Sequence, residues 1–343
     1  MQKLRLFQYF WAVNYLSNIV IFVSPIKFIT PNFIACMSSI SQLLKENNPH
    51  EDILAIAGSL GEKENIPTYI VGGYVRDTLL GKSCKDIDIM VEGDGVAFAK
   101  KLARELKVNV TVDYDKFGTA MIPYPDVEIE VATARIEKYR SDSRKPEVTS
   151  STIEEDMSRR DFTINAIAAS LLPSSFGELY DPFGGIKDLQ KGLIITPLDP
   201  DETFSDDPLR MLRAVRFAAQ LEYDVASTIL ESISRNINRL EIVSWERIRD
   251  EIIKSLTTNK PSIAFYLMKE TGLLTHVFPE MDIMSGVETI NGMGHKDVFI
   301  HTLQVVDNAA KLSDKMEIRF AALVHDIAKP PTKQFDTKKG WTF

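Results

Sequence analysis

The spacing of apolar positions changes several times along the chain, and each change marks an element. Residues 7–34 are aromatic and aliphatic but are interrupted by Gln8, Asn14, Asn18, Pro25 and Lys27. A membrane span wants about 20 mostly apolar residues, and this stretch meets that only roughly, with no obvious small-residue cleavage site. Residues 1–36 therefore read first as a translated leader ahead of a start at Met37, then as a membrane anchor or an added helix. Ile53, Ile56, Ala57 and Leu60 follow at helical spacing. Tyr69, Ile70 and Val71 predict a buried strand, Gly72 and Gly73 a turn, the next residues a short helix carrying Arg76, and Asp86 with Asp88 a second strand.

Beyond this, Val96, Ala99, Leu102, Ala103 and Leu106 predict an amphipathic helix over 95–107. Alternating runs at 108–112, 118–122 and 127–132 predict strands of a small sheet. No periodicity survives in the charged stretch 137–155, which reads as a mobile loop. Arg159 and Arg160 then precede an expected buried apolar helix over 158–169, with Asp161 in its first turn. Residues 181–192 read as a turn-rich connection and 194–196 as one last short strand. From Asp201 the pattern is helical, with no alternating run between Phe204 and Glu280. Its strongest piece is 206–221, where Pro208 suits a first helical turn and Asp206 or Asp207 can cap it. On that helix Asp207, Arg210, Arg213 and Arg216 descend one flank while Leu209, Leu212, Val215 and Ala219 bury the other.

Composition narrows the class. A chain of 343 residues can hold two or three domains, and 44% apolar with 26% charged residues is ordinary for a globular protein. A net charge of −8 argues against a generally basic nucleic-acid binder but leaves room for a local basic cleft. Cys36 and Cys84 form neither a disulfide framework nor a zinc pattern, which points to a reducing cytoplasm. No membrane or protein partner is expected.

The candidate chemistry centres on residues 69–92. Glycine permits φ > 0 and close approach of backbone N–H groups, so the turn at Gly72 and Gly73 can cradle a phosphate that Arg76 neutralises. Alternate residues of a strand share a face, so Asp86 and Asp88 present two hard oxygen donors side by side, the arrangement Mg²⁺ requires. Glu128 or Glu130 could complete a carboxylate trio. Arg135, Arg140, Arg144 and Lys145 could close over a triphosphate or simply line a solvated linker. Residues 244–251 supply another mixed-charge helix, either part of the charged machinery or a solvated face. In the tail, His301 and the pair His325, Asp326 form a possible divalent-metal set, with His295 nearby. Histidines in apolar helices are more often core residues.

Together the segments GGYVRD with DID, RRDFTINAIA and DDPLRMLRAVRF resemble the class II tRNA nucleotidyltransferases and bacterial poly(A) polymerases, members of the polymerase-β-like superfamily. The likeness covers roughly 66–251, with a tail from His295 resembling an HD domain cut short. It implies an α+β fold: a nucleotidyltransferase head with a small mixed sheet over 37–180, a helical neck over 181–285 and a partial HD-like region over 286–343. It also implies that Gly72, Gly73 and Arg76 bind phosphate, that Asp86, Asp88 and Glu130 are catalytic, with Asp86 and Asp88 the metal pair, and that Arg160, Asp207, Arg210, Arg213 and Arg216 bind the nucleotide. Asp206 departs from the glutamate often found there. The implied reaction adds CMP and AMP from CTP and ATP to the tRNA 3′ end. A poly(A) polymerase, a CC-only or A-only enzyme, and an HD phosphohydrolase with a nucleotide-sensing head are the alternatives.

Overall fold

The computed structural model describes residues 38–342 apart from 47, 85, 109–111, 115–117, 141–142, 288, 291–292, 295–296 and 338–339. The leader at 1–36 and His295 lie outside the described residues, as do the side chains of Arg140, Arg144 and Lys145. The chain begins with α1 (Ser41–Lys45) and α2 (Glu51–Glu64), then β1 (Thr68–Val71), α3 (Gly73–Leu79), β2 (Asp86–Val91) and α4 (Gly95–Glu105). Next come β3 (Val112–Tyr114), β4 (Thr119–Tyr124), β5 (Val127–Thr133), β6 (Arg135–Arg140), β7 (Ser143–Ser150), α5 (Ile153–Ser158), β8 (Ala168–Ser170) and β9 (Leu179–Tyr180). Strands β3, β4, β5, β2, β1, β8 and β9 lie side by side in that order as one sheet. All neighbours are antiparallel except β2 and β5, which run parallel.

Alternation along the strands explains the layering. Ile87, Ile89 and Val91 of β2, with Ile129 and Val131 of β5, are at most 1% exposed and form the inner face. Helix α4 covers that face near β4 and β5 with Val96, Phe98, Ala99 and Leu102. Asp94 caps the helix by accepting from the Ala97 amide at 2.9 Å. Each such aliphatic side chain stabilises the fold by about 1.5–3 kcal/mol of burial, so the head has an ample core. The acids of β2 and β5 are left on the opposite face.

Three local expectations are corrected. Residues 135–150 form not a loop but a two-stranded antiparallel hairpin, β6 and β7, paired from Arg135 with Ser150 to Arg140 with Ser143. A ribbon rich in polar residues on both strands shows little of the hydrophobic alternation by which a strand is usually recognised. The segment 158–169 forms not a helix but a 3₁₀ turn, Thr163–Asn165, leading into β8. Its continuous apolar run is wholly buried, and such a run fits a central strand as well as a helix. Asp224–Val225 is a short strand, β11, inside the region expected to be helical throughout.

After β9 come α6 (Gly185–Lys191), β10 (Leu193–Ile194) parallel to β11, α7 (Pro200–Asp206), α8 (Leu209–Leu221), α9 (Ser227–Asn236), α10 (Trp245–Leu256), α11 (Ser262–Thr271), α12 (Leu273–Val277) and α13 (Pro279–Asp282). Helix α8 packs between α10 and α11, with Leu212, Val215 and Ala219 fully buried. Asp206 closes α7, while Asp207 lies extended and accepts from the Leu209 amide at 3.1 Å, so Asp207 is the acid that starts α8. Helices α14 (Val298–Leu312) and α15 (Met316–Val324) follow, with two short hairpins near residues 290 and 338. Among the described residues no helix is long and apolar enough to cross a membrane.

Candidate active site

The turn after β1 depends on a bare backbone. Gly72 has φ 68° and ψ −128°, and a Cβ there would stand 2.7 Å from Arg160 Nη1. Glycine is therefore favoured by the positive φ, and a side chain there would also push the Arg160 guanidinium aside. Arg160 is held over the turn by donating from Nη1 to the Asn165 carbonyl at 3.3 Å and from Nη2 to Asp156 at 3.2 Å.

Beside this turn the parallel pairing of β2 and β5 sets Asp88 opposite Glu130 and Asp86 opposite Glu128. Burial pushes the Asp88 carboxyl above the usual carboxylate range, Arg160 pulls it back, and Asp86 pushes it up again. Burial and then Asp88 likewise raise Glu130. Among the described residues no ion pair within 4 Å ties down Asp86, Asp88 or Glu130. Adjacent oxygen donors that raise each other's proton affinity fit a hard divalent cation, which would relieve the repulsion.

The other expected residues are placed differently. Arg76 is only 4% exposed and faces inward: Nε meets Asp77 at 2.9 Å and Nη1 donates to Asn165 Oδ1 at 2.6 Å. The guanidinium expected to neutralise a phosphate therefore braces the turn from behind. Arg213 pairs with the buried Asp161 at 2.5 Å, and Arg216 pairs with the buried Glu251 at 2.5 Å. The ring of Phe217 lies near three guanidinium carbons, of Arg216 at 3.9 Å, Arg76 at 5.2 Å and Arg213 at 5.3 Å. Despite its burial, Asp161 is held below the usual carboxylate range by Arg213, Asn165 and Arg210.

Asp207 and Arg210 lie at the start of α8 but do not pair with each other in these contacts. Asp207 accepts from Arg247 of α10 at 2.7 and 3.4 Å on an open surface, and Arg210 donates to the Arg159 carbonyl at 2.6 Å. Sequence reasoning missed Asp156, Asp161, Asn165 and Glu251 as the partners of these arginines, and Arg247 as the partner of Asp207. The four-residue step from Asp161 to Asn165 was the available signal, because it suits a turn whose two side chains meet; Asn165 donates to Asp161 at 3.0 Å.

In the tail, one ligand atom from each of His301, His325 and Asp326 lies within 4.8 Å of the others. Asp326 Oδ2 sits 3.3 Å from His325 Nε2 and 3.8 Å from His301 Nε2, and accepts from Lys329 at 2.7 Å.

Three stretches match known domains: 68–195 the Poly A polymerase head domain, 222–284 the probable RNA and SrmB-binding site of polymerase A, and 298–342 the HD domain. The chain is 34% identical over 268 residues to the A-adding tRNA nucleotidyltransferase of Geobacter sulfurreducens, covering 77% of this chain and 28% of that protein. It is 36% identical over 271 residues to the multifunctional CCA protein of Nitrosomonas europaea, covering 77% of this chain and 62% of the relative. Its fold is similar to the Thermotoga maritima CCA-adding enzyme complexed with tRNA, with a TM-score of 0.67 at 30% identity, over 85% of this chain and 69% of that one. The chain thus spans less than two thirds of those two curated relatives. With the glycine turn, the strand acids and the arginine helix in one fold, it belongs to the family of class II tRNA nucleotidyltransferases and bacterial poly(A) polymerases.

Proposed function

We propose that this chain is a template-independent RNA nucleotidyltransferase that adds CMP and AMP from CTP and ATP to the 3′ end of tRNA. The observation that carries this reading is the unpaired carboxylate face of β2 and β5 next to the Gly72 turn. Asp86 and Asp88, with Glu130 beside them, would hold a divalent cation, and their oxygen-only donor set suits Mg²⁺. When bound, such a cation lowers the pKa of a primer 3′-hydroxyl and offsets charge on the α-phosphate and leaving pyrophosphate. The Gly72–Gly73 backbone cradles phosphate, and Arg160, fixed by Asp156, adds a positive charge above it. The cysteine-poor composition and the proposed tRNA substrate support a cytoplasmic location.

Base choice rests with Asp207 and Arg210. A carboxylate can accept from the exocyclic amine of cytosine or adenine while a guanidinium donates to the neighbouring ring nitrogen or carbonyl. Guanine and uracil present the opposite polarity there, leaving a charge unpaired at a cost of a few kcal/mol. Asp207 meets the base by exchanging its contact with Arg247. In the tail, His301, His325 and Asp326 form a second candidate metal site once Lys329 yields Asp326.

The test incubates the protein and Mg²⁺ with tRNA lacking its terminal CCA, giving CTP and ATP separately and together. Ordered addition of two C and one A residues is expected. Long ATP-only tails would instead indicate a poly(A) polymerase, and single-A addition onto tRNA already ending in CC an A-adding enzyme. Asp207→Ala should retain transfer but admit UTP and GTP; unchanged selectivity would remove Asp207 from the reading role.

A further inference from the structure

Asn165 lies in the 3₁₀ turn between Arg160 and β8, is 6% exposed, and uses three of its polar atoms on three different arms of the site. Its Oδ1 accepts from Arg76 Nη1 at 2.6 Å, behind the glycine turn. Its backbone carbonyl accepts from Arg160 Nη1 at 3.3 Å, in front of that turn. Its Nδ2 donates to Asp161 Oδ1 at 3.0 Å, and the other oxygen of Asp161 accepts from Arg213 Nε at 2.8 Å. Arg213 is one helical turn after Arg210 on α8. The phosphate end and the base end of the site are thereby joined through one neutral side chain.

The residue type follows from the chemistry. An amide accepts at one end and donates at the other, so it can face a guanidinium and a carboxylate at once, which neither an acid nor a base can do. Those two partners also fix which end is oxygen. A carboxylate in its place would confront Asp161, and an alanine would leave a nitrogen of Arg76 and an oxygen of Asp161 without this shared partner in a buried setting.

We infer that Asn165 is a positioning residue that sets the distance between the phosphate-binding turn and the base-selecting start of α8, so that base selectivity depends on it although it touches no base. This rests on the nucleotidyltransferase reading above. A residue needed only for folding would lower the fraction of active protein and leave the relative use of nucleotides unchanged, whereas a positioning residue alters the choice itself.

The experiment compares the wild-type chain with Asn165→Ala, measuring kcat/KM for CTP and UTP on the same tRNA. The ratio of CTP to UTP should fall about tenfold or more in the variant, as expected for loss of buried polar contacts; an unchanged ratio would overturn the inference. A second measurement needs no activity: the shifts in urea midpoint for Arg76→Lys and Arg213→Lys, singly and together, in both backgrounds. The departure from additivity should fall about twofold or more when Asn165 is removed, the remainder being carried by the Phe217 ring that both guanidinium groups approach. A departure that is absent or unchanged in the two backgrounds would overturn the relay, and an inactive wild type would sink the functional reading while this cycle still decides the coupling. Should Asn165→Ala fail to fold, Asn165→Ser carries both comparisons, because it stays neutral and polar but is too short to reach Arg76 and Asp161 together.

Discussion

Two sets of charged residues meet around the Gly72 turn, and they are built on opposite terms. On β2 and β5, Asp86, Asp88 and Glu130 are like charges with no ion-pair partner among the described residues, and Asp88 and Glu130 resist ionisation. Behind them, Arg76, Asp161, Arg213, Arg216 and Glu251 each face an opposite charge or an amide, and Asp161 ionises more readily than usual. The first set repels itself, which a bound cation would relieve. The second set is complete already, so it frames the site. Arg213 and Arg216, which the resemblance implied bind the nucleotide, are here paired within the frame.

That contrast can be broken in three places. The largest effect is expected from Asp86→Ala or Asp88→Ala, which should lower nucleotide transfer by about 10³-fold or more, equal to roughly 4 kcal/mol of barrier. Both variants should remain folded by circular dichroism. Next, Asp161→Asn should destabilise the chain by about 2–4 kcal/mol in urea unfolding at neutral pH, below the full cost of breaking a buried pair because Arg213 is partly exposed. The Asp161 carboxyl is depressed in the folded state, so its contribution is present above the ordinary carboxylate pKa and disappears as pH falls through the folded one. The difference between wild type and variant should therefore shrink in acid.

The smallest effect has the opposite sign. Asp88 is raised in the folded state, so its charge opposes folding, and the stability it lends is lost as pH rises through its folded pKa. In chelator-treated buffer near neutrality, Asp88→Asn should melt a few degrees higher than wild type while losing transfer. The gap should close toward about pH 4. A variant that melts lower at neutral pH would mean that Asp88 belongs to the frame.

The legible parts of the sequence were those with a buried face. Ile87, Ile89 and Val91 alternate with Asp86 and Asp88, so strand and acid face could be read together. The apolar flank of α8 was equally plain. The hairpin at 135–150 was not, because a largely polar ribbon carries little hydrophobic period. The strand β8 was read as a helix because Ala166, Ile167, Ala168 and Ala169 are all buried, which erases either period. Which arginines face solvent was also hidden. Arg210, Arg213 and Arg216 share a spacing, and only the positions of Asp161 on a distant turn and Glu251 on α10 decide where each one points.

The parallel pairing of β2 with β5 makes the head sensitive to errors of length rather than of identity. One residue inserted or deleted inside either strand would exchange Ile87 for an acid and turn the carboxylates into the hydrophobic interior, dismantling the carboxylate face without changing any named side chain. Extra residues in the exposed bend at Gly81 to Ser83 would leave the two strands in step. A library of such insertions would mark the stretch where counting matters more than chemistry.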